Sequence, residues 1–184
     1  STNNLPPYVS VIFGKRQGTD PVYDLWSYRW YVNNNVQTPT DPWPAGATDI
    51  DERIAISAAT TPVVDGDIIR LRVNVLLSNA TATVGTRFKL QYGAGNTCSA
   101  VGSWTDVGAA TSSTIWRGFN TAVSDQSTLS STTLASTTVA ETFEENGYAT
   151  GTPNQLGIGD YGEWDFVLEH NGAAAGTNYC FRMV

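Results

Sequence analysis

Two cysteines carry the clearest chemistry in this sequence. Cys98 and Cys180 are its only thiols, and they lie far apart in the chain. Charged residues make up only 15% of the chain, against roughly 25% in average soluble domains. This composition is typical of exported proteins, in which an oxidising compartment favours disulfides. We therefore predict a Cys98–Cys180 disulfide and an extracellular or cell-surface location, with two buried free thiols as the alternative.

Residues that could support catalysis are few. His170 is the only histidine and follows an expected strand, and no nucleophile can be placed beside it. Several carboxylates could pair as in glycosidases, but nothing sets their separation, so we expect solvated surface acids. These are Glu141, Glu144, Glu145 and Asp160. The sequence predicts no catalytic residues, no cofactor and no enzyme activity.

Four further features are candidate binding or modification sites. Residues 49–52 (DIDE) and 65–67 (DGD) offer oxygen ligands for Ca²⁺, but neither has EF-hand spacing, so we expect solvated turns and no metal. Asn79 opens the sequon Asn-Ala-Thr after an expected strand, which makes it a candidate glycosylation site and glycans candidate partners. Trp43, flanked by prolines, is the best candidate for an exposed ring that stacks on a sugar.

Charge and hydropathy exclude two classes of partner. Ten Lys and Arg residues against 17 Asp and Glu give a net charge of -7, with no basic stripe for nucleic acid. No apolar run reaches 18 residues, so no membrane insertion of the mature chain is expected. The sequence starts without methionine or a signal-like segment, and we expect it to begin at a processing site.

Period-2 alternation between Gly, Pro, Asn and Asp clusters dominates the chain and is typical of sandwich strands. We find no convincing amphipathic helix. Leu71, Val73 and Val75 alternate with polar neighbours, so one face of their strand is expected in the core and the other in solvent. The solvent face would carry Arg70, Arg72 and Asn74. Strands are expected at 25–33, 53–57, 67–78, 86–92, 163–170 and 177–183, with weaker ones between 109 and 140.

The N-terminal segment is set apart from this body. Leu5, Val9, Val11 and Phe13 fall on one side of an extended chain, and a polar run bounded by Gly and Pro follows. We therefore divide the chain into a donor-type strand (1–14), a linker (15–23) and a β-sandwich domain (24–184). The strand has three possible fates: it completes its own sandwich, it pairs with a neighbouring subunit, or it is a disordered leader.

Four short elements in the body resemble β-sandwich repeat domains of bacterial and archaeal surface proteins. They are residues 28–33 (YRWYVN), 87–92 (RFKLQY) followed by Cys98, 163–168 (EWDFVL) and 179–184 (YCFRMV). Each is short, and their order over residues 24–184 is what is distinctive. The resemblance implies an all-β, Ig-like or Greek-key antiparallel sandwich, and it independently implies the disulfide. The relatives continue past the last element into one more strand, which is missing here.

These observations together suggest a mechanism of assembly. We expect the N-terminal strand to fill the open edge of the next subunit, where Tyr179, Phe181 and Met183 form the acceptor. Such a contact does not close on itself, so identical subunits would form a head-to-tail homopolymer, as in a pilus or thread. The polar run from residue 14 to residue 21, eight residues long, spans roughly 26 Å, enough to reach a neighbour. The alternative is a monomeric adhesion or carbohydrate-binding module.

Overall fold

Residues 20–44, 50–56, 62–147 and 150–184 are described by a computed structural model, and they form eight β-strands and one short 3-10 helix. The strands are β1 (Val22–Val32), β2 (Ile68–Ser78), β3 (Leu90–Ala94), β4 (Thr105–Asp106), β5 (Trp116–Gly118), β6 (Val139–Glu144), β7 (Tyr161–His170) and β8 (Tyr179–Met183). The 3-10 helix, Cys98–Ala100, follows β3. The described part of the chain contains no helix long and apolar enough to span a membrane.

The strands form two sheets packed face to face. The larger sheet has the order β1-β2-β7-β5, and the smaller has the order β4-β3-β8. Along one edge of β7, β6 pairs with the first half of the strand and β5 with the second half. The β6–β7 pairing is parallel, which differs from the antiparallel connections expected throughout. The remaining pairings are antiparallel, and the prediction of an all-β sandwich is confirmed.

The core lies between the sheets and follows the period-2 pattern. Leu71, Val73 and Val75 on β2 are at most 1% exposed, as are Trp164 and Phe166 on the neighbouring β7. Aromatic rings from the two sheets then meet edge to face across the interface, which favours a fixed packing over a loose one. The aromatic pairs that bridge the sheets in this way are Trp30–Phe181, Trp116–Phe181 and Phe88–Trp164.

The outer face of β2 contradicts the expectation that it is in solvent. Arg70, Arg72 and Asn74 are each 0% exposed, because loops lie over this face of the larger sheet. Arg70 and Arg72 both donate to the main-chain oxygen of Gln37, and Arg72 also donates to that of Ser131. The sandwich therefore carries a third, irregular layer that strand periodicity does not reveal.

Two expected strands also differ from the structure. Residues 53–56 form no strand, since Arg53 has a φ of 64° and lies in a turn, and residue 57 lies outside the described ranges. The strand expected at 86–92 begins only at Leu90. β1 begins at Val22, within the expected linker. Residues 1–19, and the donor-type strand with them, lie outside the described part of the chain.

The predicted disulfide is confirmed. Cys98 and Cys180 are bonded, with their Cα atoms 5.5 Å apart, and both side chains are buried. The bond attaches β8 covalently to the 3-10 helix that follows β3. Since β8 also pairs with β3, a disulfide and main-chain hydrogen bonds both hold this strand to the smaller sheet.

Candidate functional site

The exposed edge of β8 is the first part of the candidate site. β8 is the last strand of the smaller sheet, and its only partner strand among the described residues is β3. Lys89 and Val184 exchange both main-chain hydrogen bonds, at 2.8 and 2.9 Å. This pair identifies which residues of β8 bond toward β3. In an antiparallel ladder, alternate residues point their N–H and C=O groups toward and away from the partner.

The residues that point away from β3 are those expected to form the acceptor edge. Tyr179, Phe181 and Met183 occupy the outward positions, and none of their main-chain groups has a hydrogen bond to any described residue. Their side chains are already used in the fold: Phe181 and Met183 are at most 3% exposed, and Tyr179 is half-buried against Trp116. What this edge offers a partner is therefore its main chain.

An apolar cavity lies beside the start of β8. Its volume is about 130 Å³, and it is partly open to solvent. Both sheets contribute to its wall, with Trp30 and Ile69 from the larger sheet and Phe181 from the smaller. The residues before β8, from Ala174 to Asn178, form its rim. Throughout the article this space is called the end cavity, because it lies where β1 and β7 end and β2 begins.

Two buried polar atoms occur in the residues that line the end cavity. Trp116 Nε1 and His170 Nδ1 have no hydrogen-bond partner in the described part of the chain. The nearest carboxylate to the His170 nitrogen is that of Asp65, at 3.6 Å, which is too long for a hydrogen bond. Buried donors and acceptors are nearly always paired. An occupant with a main-chain N–H and C=O could supply the missing partners.

His170 lies in the wall of the end cavity. It is 8% exposed, and its ring packs edge to face on Trp116 at 5.0 Å. No hydroxyl or thiol of the described residues hydrogen bonds to it. No sequence pattern indicated that His170 lies beside the edge of β8, because this residue could be recognised only as the end of a strand.

The buried charges on β2 and β7 form a compact network on the outer face of the larger sheet. Asp165 accepts hydrogen bonds from both Arg70 and Arg72, and Arg72 also bonds Glu163 at 2.6 Å. Burial acts to lower the pKa of Arg72, but the attraction of Asp165 and Glu163 outweighs it, so its pKa is raised. Glu163 also accepts the main-chain N–H of Thr133 at 3.0 Å. All four charges are paired, and the network fastens loops to the sheet.

The acids on and after β6 are buried, which contradicts the expectation of surface acids. Glu141, Glu144 and Glu145 are at most 6% exposed, while Asp160 is half-buried. Burial raises the pKa of Glu141 to about 7, although the Asn154 N–H partly offsets the effect. Glu145 and Asp160 bond other segments, since Glu145 accepts the Thr121 N–H and Asp160 accepts the Gly157 N–H.

Burial likewise raises the pKa of Glu144 to about 7, against the opposing effects of Thr142 and Gly151. Glu144 accepts the Gly151 N–H at 2.7 Å, and Glu141 accepts the Asn154 N–H at 3.3 Å. Trp164 donates to the Gly151 carbonyl oxygen at 2.9 Å. The two acids therefore hold one connecting segment against the larger sheet, which is a structural role.

The other sites considered from the sequence take different positions. Asn79 is exposed, has a φ of 75°, and donates to the Asp20 carbonyl oxygen at 2.9 Å. Trp43 is not an exposed ring: it is partly buried against the core, and its Nε1 is buried. Asp67 accepts the Val64 N–H within its own turn, and Asp65 accepts the Gly172 N–H from the loop after β7. Among the described residues no three metal-ligating groups cluster, and Asp49 lies outside them.

Trp26 is the exposed aromatic residue that sequence reasoning missed. It is 42% exposed and sits at a bulge in β1, where the register shifts between Leu25 and Ser27. Arg53 lies 5.1 Å from its ring centroid, and Tyr161 packs against it at 5.5 Å. The bulge explains the miss, because an extra residue reverses the face that simple alternation assigns.

Leu5, Val9, Val11 and Phe13, the expected donor residues, lie outside the described residues. Among the described residues, the structure thus gives a strand edge without outward hydrogen-bond partners and a cavity beside it. Comparison with models of protein families, with curated proteins and with solved structures finds no match to this chain.

Proposed function

We propose that this chain is the structural subunit of an extracellular filament, in which residues 1–14 of one subunit pair with β8 of the next. The observation that carries the proposal is the outward main chain of Phe181 and Met183, which has no partner among the described residues beside an apolar cavity. Added strands bind such edges through main-chain hydrogen bonds, while pockets select alternate side chains.

The sequence of the N-terminal segment fits both requirements. Its odd-numbered residues Leu5, Val9, Val11 and Phe13 give an apolar face that can cover the sheet interface beside β8. Its even-numbered residues include Ser10 on the opposite face. Each buried apolar side chain would contribute about 1.5–3 kcal/mol before entropic costs, so the assembled form should resist dissociation.

An extracellular location is supported by the disulfide. Disulfides persist in oxidising compartments such as the cell exterior and are rare in the cytosol. The Cys98–Cys180 bond lies beside the proposed acceptor edge. An oxidising environment, by forming this bond, therefore also stabilises the strand proposed for assembly.

Electron microscopy of the native protein tests the proposal directly. We expect filaments that disappear when residues 1–14 are deleted. Val11→Asp should also abolish them, because it places a charge on the apolar face, whereas Ser10→Asp on the opposite face serves as the matched control and should leave them. Monodisperse particles of the unmodified protein at high concentration would overturn the proposal.

A second candidate function is a monomeric adhesion or carbohydrate-binding module. The observation that favours it is Trp26, whose exposed ring is joined by Tyr161 and Arg53. Aromatic faces of this kind stack on sugar rings. Titration with a panel of oligosaccharides tests this function: binding that survives deletion of residues 1–14 and is lost in Trp26→Ala would support it.

A further inference from the structure

The direction in which a donated strand enters this subunit can be read from where β1 begins. Asp20 lies two residues before β1, and its carbonyl oxygen accepts a hydrogen bond from Asn79, just after the end of β2. The described chain therefore begins at this end of the sandwich, which we call the exit end. The end cavity is lined by Tyr28 and Trp30, near the opposite end of β1.

The two ends are too far apart for one subunit to place its own Phe13 in its own end cavity. Asp20 and Trp30 are ten residues apart along β1, and the strand rise of about 3.3 Å gives a separation of about 30 Å. Phe13 and Asp20 are only seven residues apart, which spans at most about 25 Å fully extended. Residues further from Asp20 than Phe13, such as Val9 and Leu5, could reach the cavity of the same subunit.

The direction of β8 determines whether an added strand would run parallel or antiparallel to it. β8 runs from the end cavity, at Tyr179, toward the exit end, where Phe88 near the start of β3 packs against Tyr23 at the start of β1. A segment that folds back by the shortest route would lie parallel to β8, with Leu5 near the cavity. A segment arriving from a neighbour at the cavity would lie antiparallel to β8, with Phe13 near the cavity.

We propose, on the basis of the function proposed above, that the end cavity takes Phe13 of a second copy of this chain, whose donated strand runs antiparallel to β8. The exit end of one subunit then faces the end cavity of the next. Phe13 is the largest apolar residue of the segment and stands directly before the linker. The aromatic and aliphatic lining, with Trp30, Trp116 and Ile69, suits a phenyl ring.

The unpaired polar atoms in the cavity wall fit the same occupant. Trp116 Nε1 and His170 Nδ1 lack partners, and the main chain beside Phe13 carries both a donor and an acceptor. The proposal also places Asn79 at the boundary between subunits, since this residue marks the exit end. A glycan at Asn79 would then lie at each junction of the filament.

Cysteine trapping distinguishes the two strand directions. Asn178 is exposed at the rim of the end cavity and precedes β8. In the antiparallel arrangement with Phe13 opposite Tyr179, residue 14 lies opposite Asn178, whereas in the parallel arrangement with Leu5 opposite Tyr179, residue 4 does. Gly14→Cys/Asn178→Cys and Asn4→Cys/Asn178→Cys are therefore matched variants, to be oxidised mildly after assembly and separated by denaturing gel electrophoresis.

We expect a ladder of covalent oligomers from the variant with cysteines at 14 and 178, and none from the variant with cysteines at 4 and 178. The single variant Asn178→Cys controls for exchange with the native disulfide. Filaments that cross-link only through position 4, or a covalent band at the size of one subunit, would overturn the antiparallel direction while leaving filament formation intact. Absence of filaments in the unmodified protein would overturn the proposed function itself.

A second measurement tests the place of Phe13 without new cysteines. Phe13→Ala should raise the subunit concentration needed for assembly by about 100-fold or more, since truncation of a buried phenylalanine is among the most costly apolar changes. Leu5→Ala, at the far end of the donated strand, should raise it by less than about tenfold. The reverse order would contradict the assignment of Phe13 to the end cavity.

Discussion

The two sheets end in outer strands, β1 and β8, whose free edges are treated differently. In the second half of β1, three outward main-chain groups are paired: the oxygens of Tyr28 and Trp30 accept N–H groups from Arg53 and Trp43, and the Val32 N–H donates to the Asp41 oxygen. The outward groups of β8 have no such partners among the described residues. Exposed edges promote association, and proteins usually cover them. The difference supports the proposal that the edge of β8 binds a partner strand.

The covering of β1 depends on distant residues. The chain that follows β1 is held down at Val36 and Gln37 by Arg70, and Arg72 also bonds Gln37. Both arginines are fixed in turn by Asp165 on β7. The charge network on the outer face thus anchors the segment that returns to cover β1. No comparable segment of the described chain crosses the edge of β8.

The largest expected effect is that of removing the disulfide that holds β8. In the chain-entropy model, the loop between Cys98 and Cys180 contributes about 4–5 kcal/mol to the free energy of unfolding. Cys98→Ser/Cys180→Ser should lose that amount in urea denaturation and should also lose assembly, since β8 is released from the 3-10 helix. Equal stability of the two proteins under non-reducing conditions would contradict this role.

Removing the shared carboxylate on the β1 side should have a slightly smaller effect. Asp165→Asn leaves Arg70 and Arg72 buried without their common counter-charge, and a broken buried pair costs about 3–5 kcal/mol. We expect that loss in urea denaturation, together with faster exchange of the amide protons of Val32, Trp43 and Arg53, which donate the hydrogen bonds along the covered edge. Asp51→Asn is the matched control, because the Asp51 side chain is 84% exposed and should cost less than about 1 kcal/mol.

Supplying the missing partner of β8 should stabilise the domain. A synthetic peptide of residues 1–14, added at about 100 times its Kd to a variant lacking those residues, should contribute about 2.7 kcal/mol. The expected rise in Tm is about 5–10 °C. A peptide with Val9→Asp and Val11→Asp should give no rise. An unchanged Tm in the presence of the unmodified peptide would show that β8 is not an acceptor.

The smallest effect of a single substitution should come from the buried acids Glu141 and Glu144. Because burial raises the folded-state pKa of Glu141 and Glu144 to about 7, their contribution to stability is fully present below about pH 4.5 and is lost as pH rises through 7. Each acid should cost about 1–2 kcal/mol between about pH 5.5 and 7. Glu141→Gln and Glu144→Gln should each flatten the dependence of Tm on pH, whereas Asp24→Asn at an exposed position should not.

Alternation in the sequence predicted the inner faces of the strands but not what covers their outer faces. Leu71, Val73 and Val75 were correctly placed in the core, because burial on one face produces a direct period-2 pattern. The same reasoning put Arg70 and Arg72 in solvent, since their covering loops have no pattern of their own. Opposite charges at alternate positions on two expected strands were the available signal.

That signal lay in residues 163 and 165 on one strand and 70 and 72 on the other. Arg72 and Asp165 are directly opposite in the β2–β7 register, although 93 positions separate them in sequence. Cross-strand pairs of opposite charge are favourable, so complementary patterns can indicate which strands are neighbours. The end cavity had no such signal, because it combines residues from both sheets with the rim before β8.

The covalent attachment of Cys180 has a mechanical consequence for a filament built as proposed. Tension along such a filament would enter each subunit at the exit end of β1 and leave through the strand bound to β8. Because the disulfide and the pairing with β3 both hold β8, this strand cannot be peeled from the domain while the bond is intact. The load on β8 then falls in shear on the hydrogen bonds of the donated strand, which would have to break together.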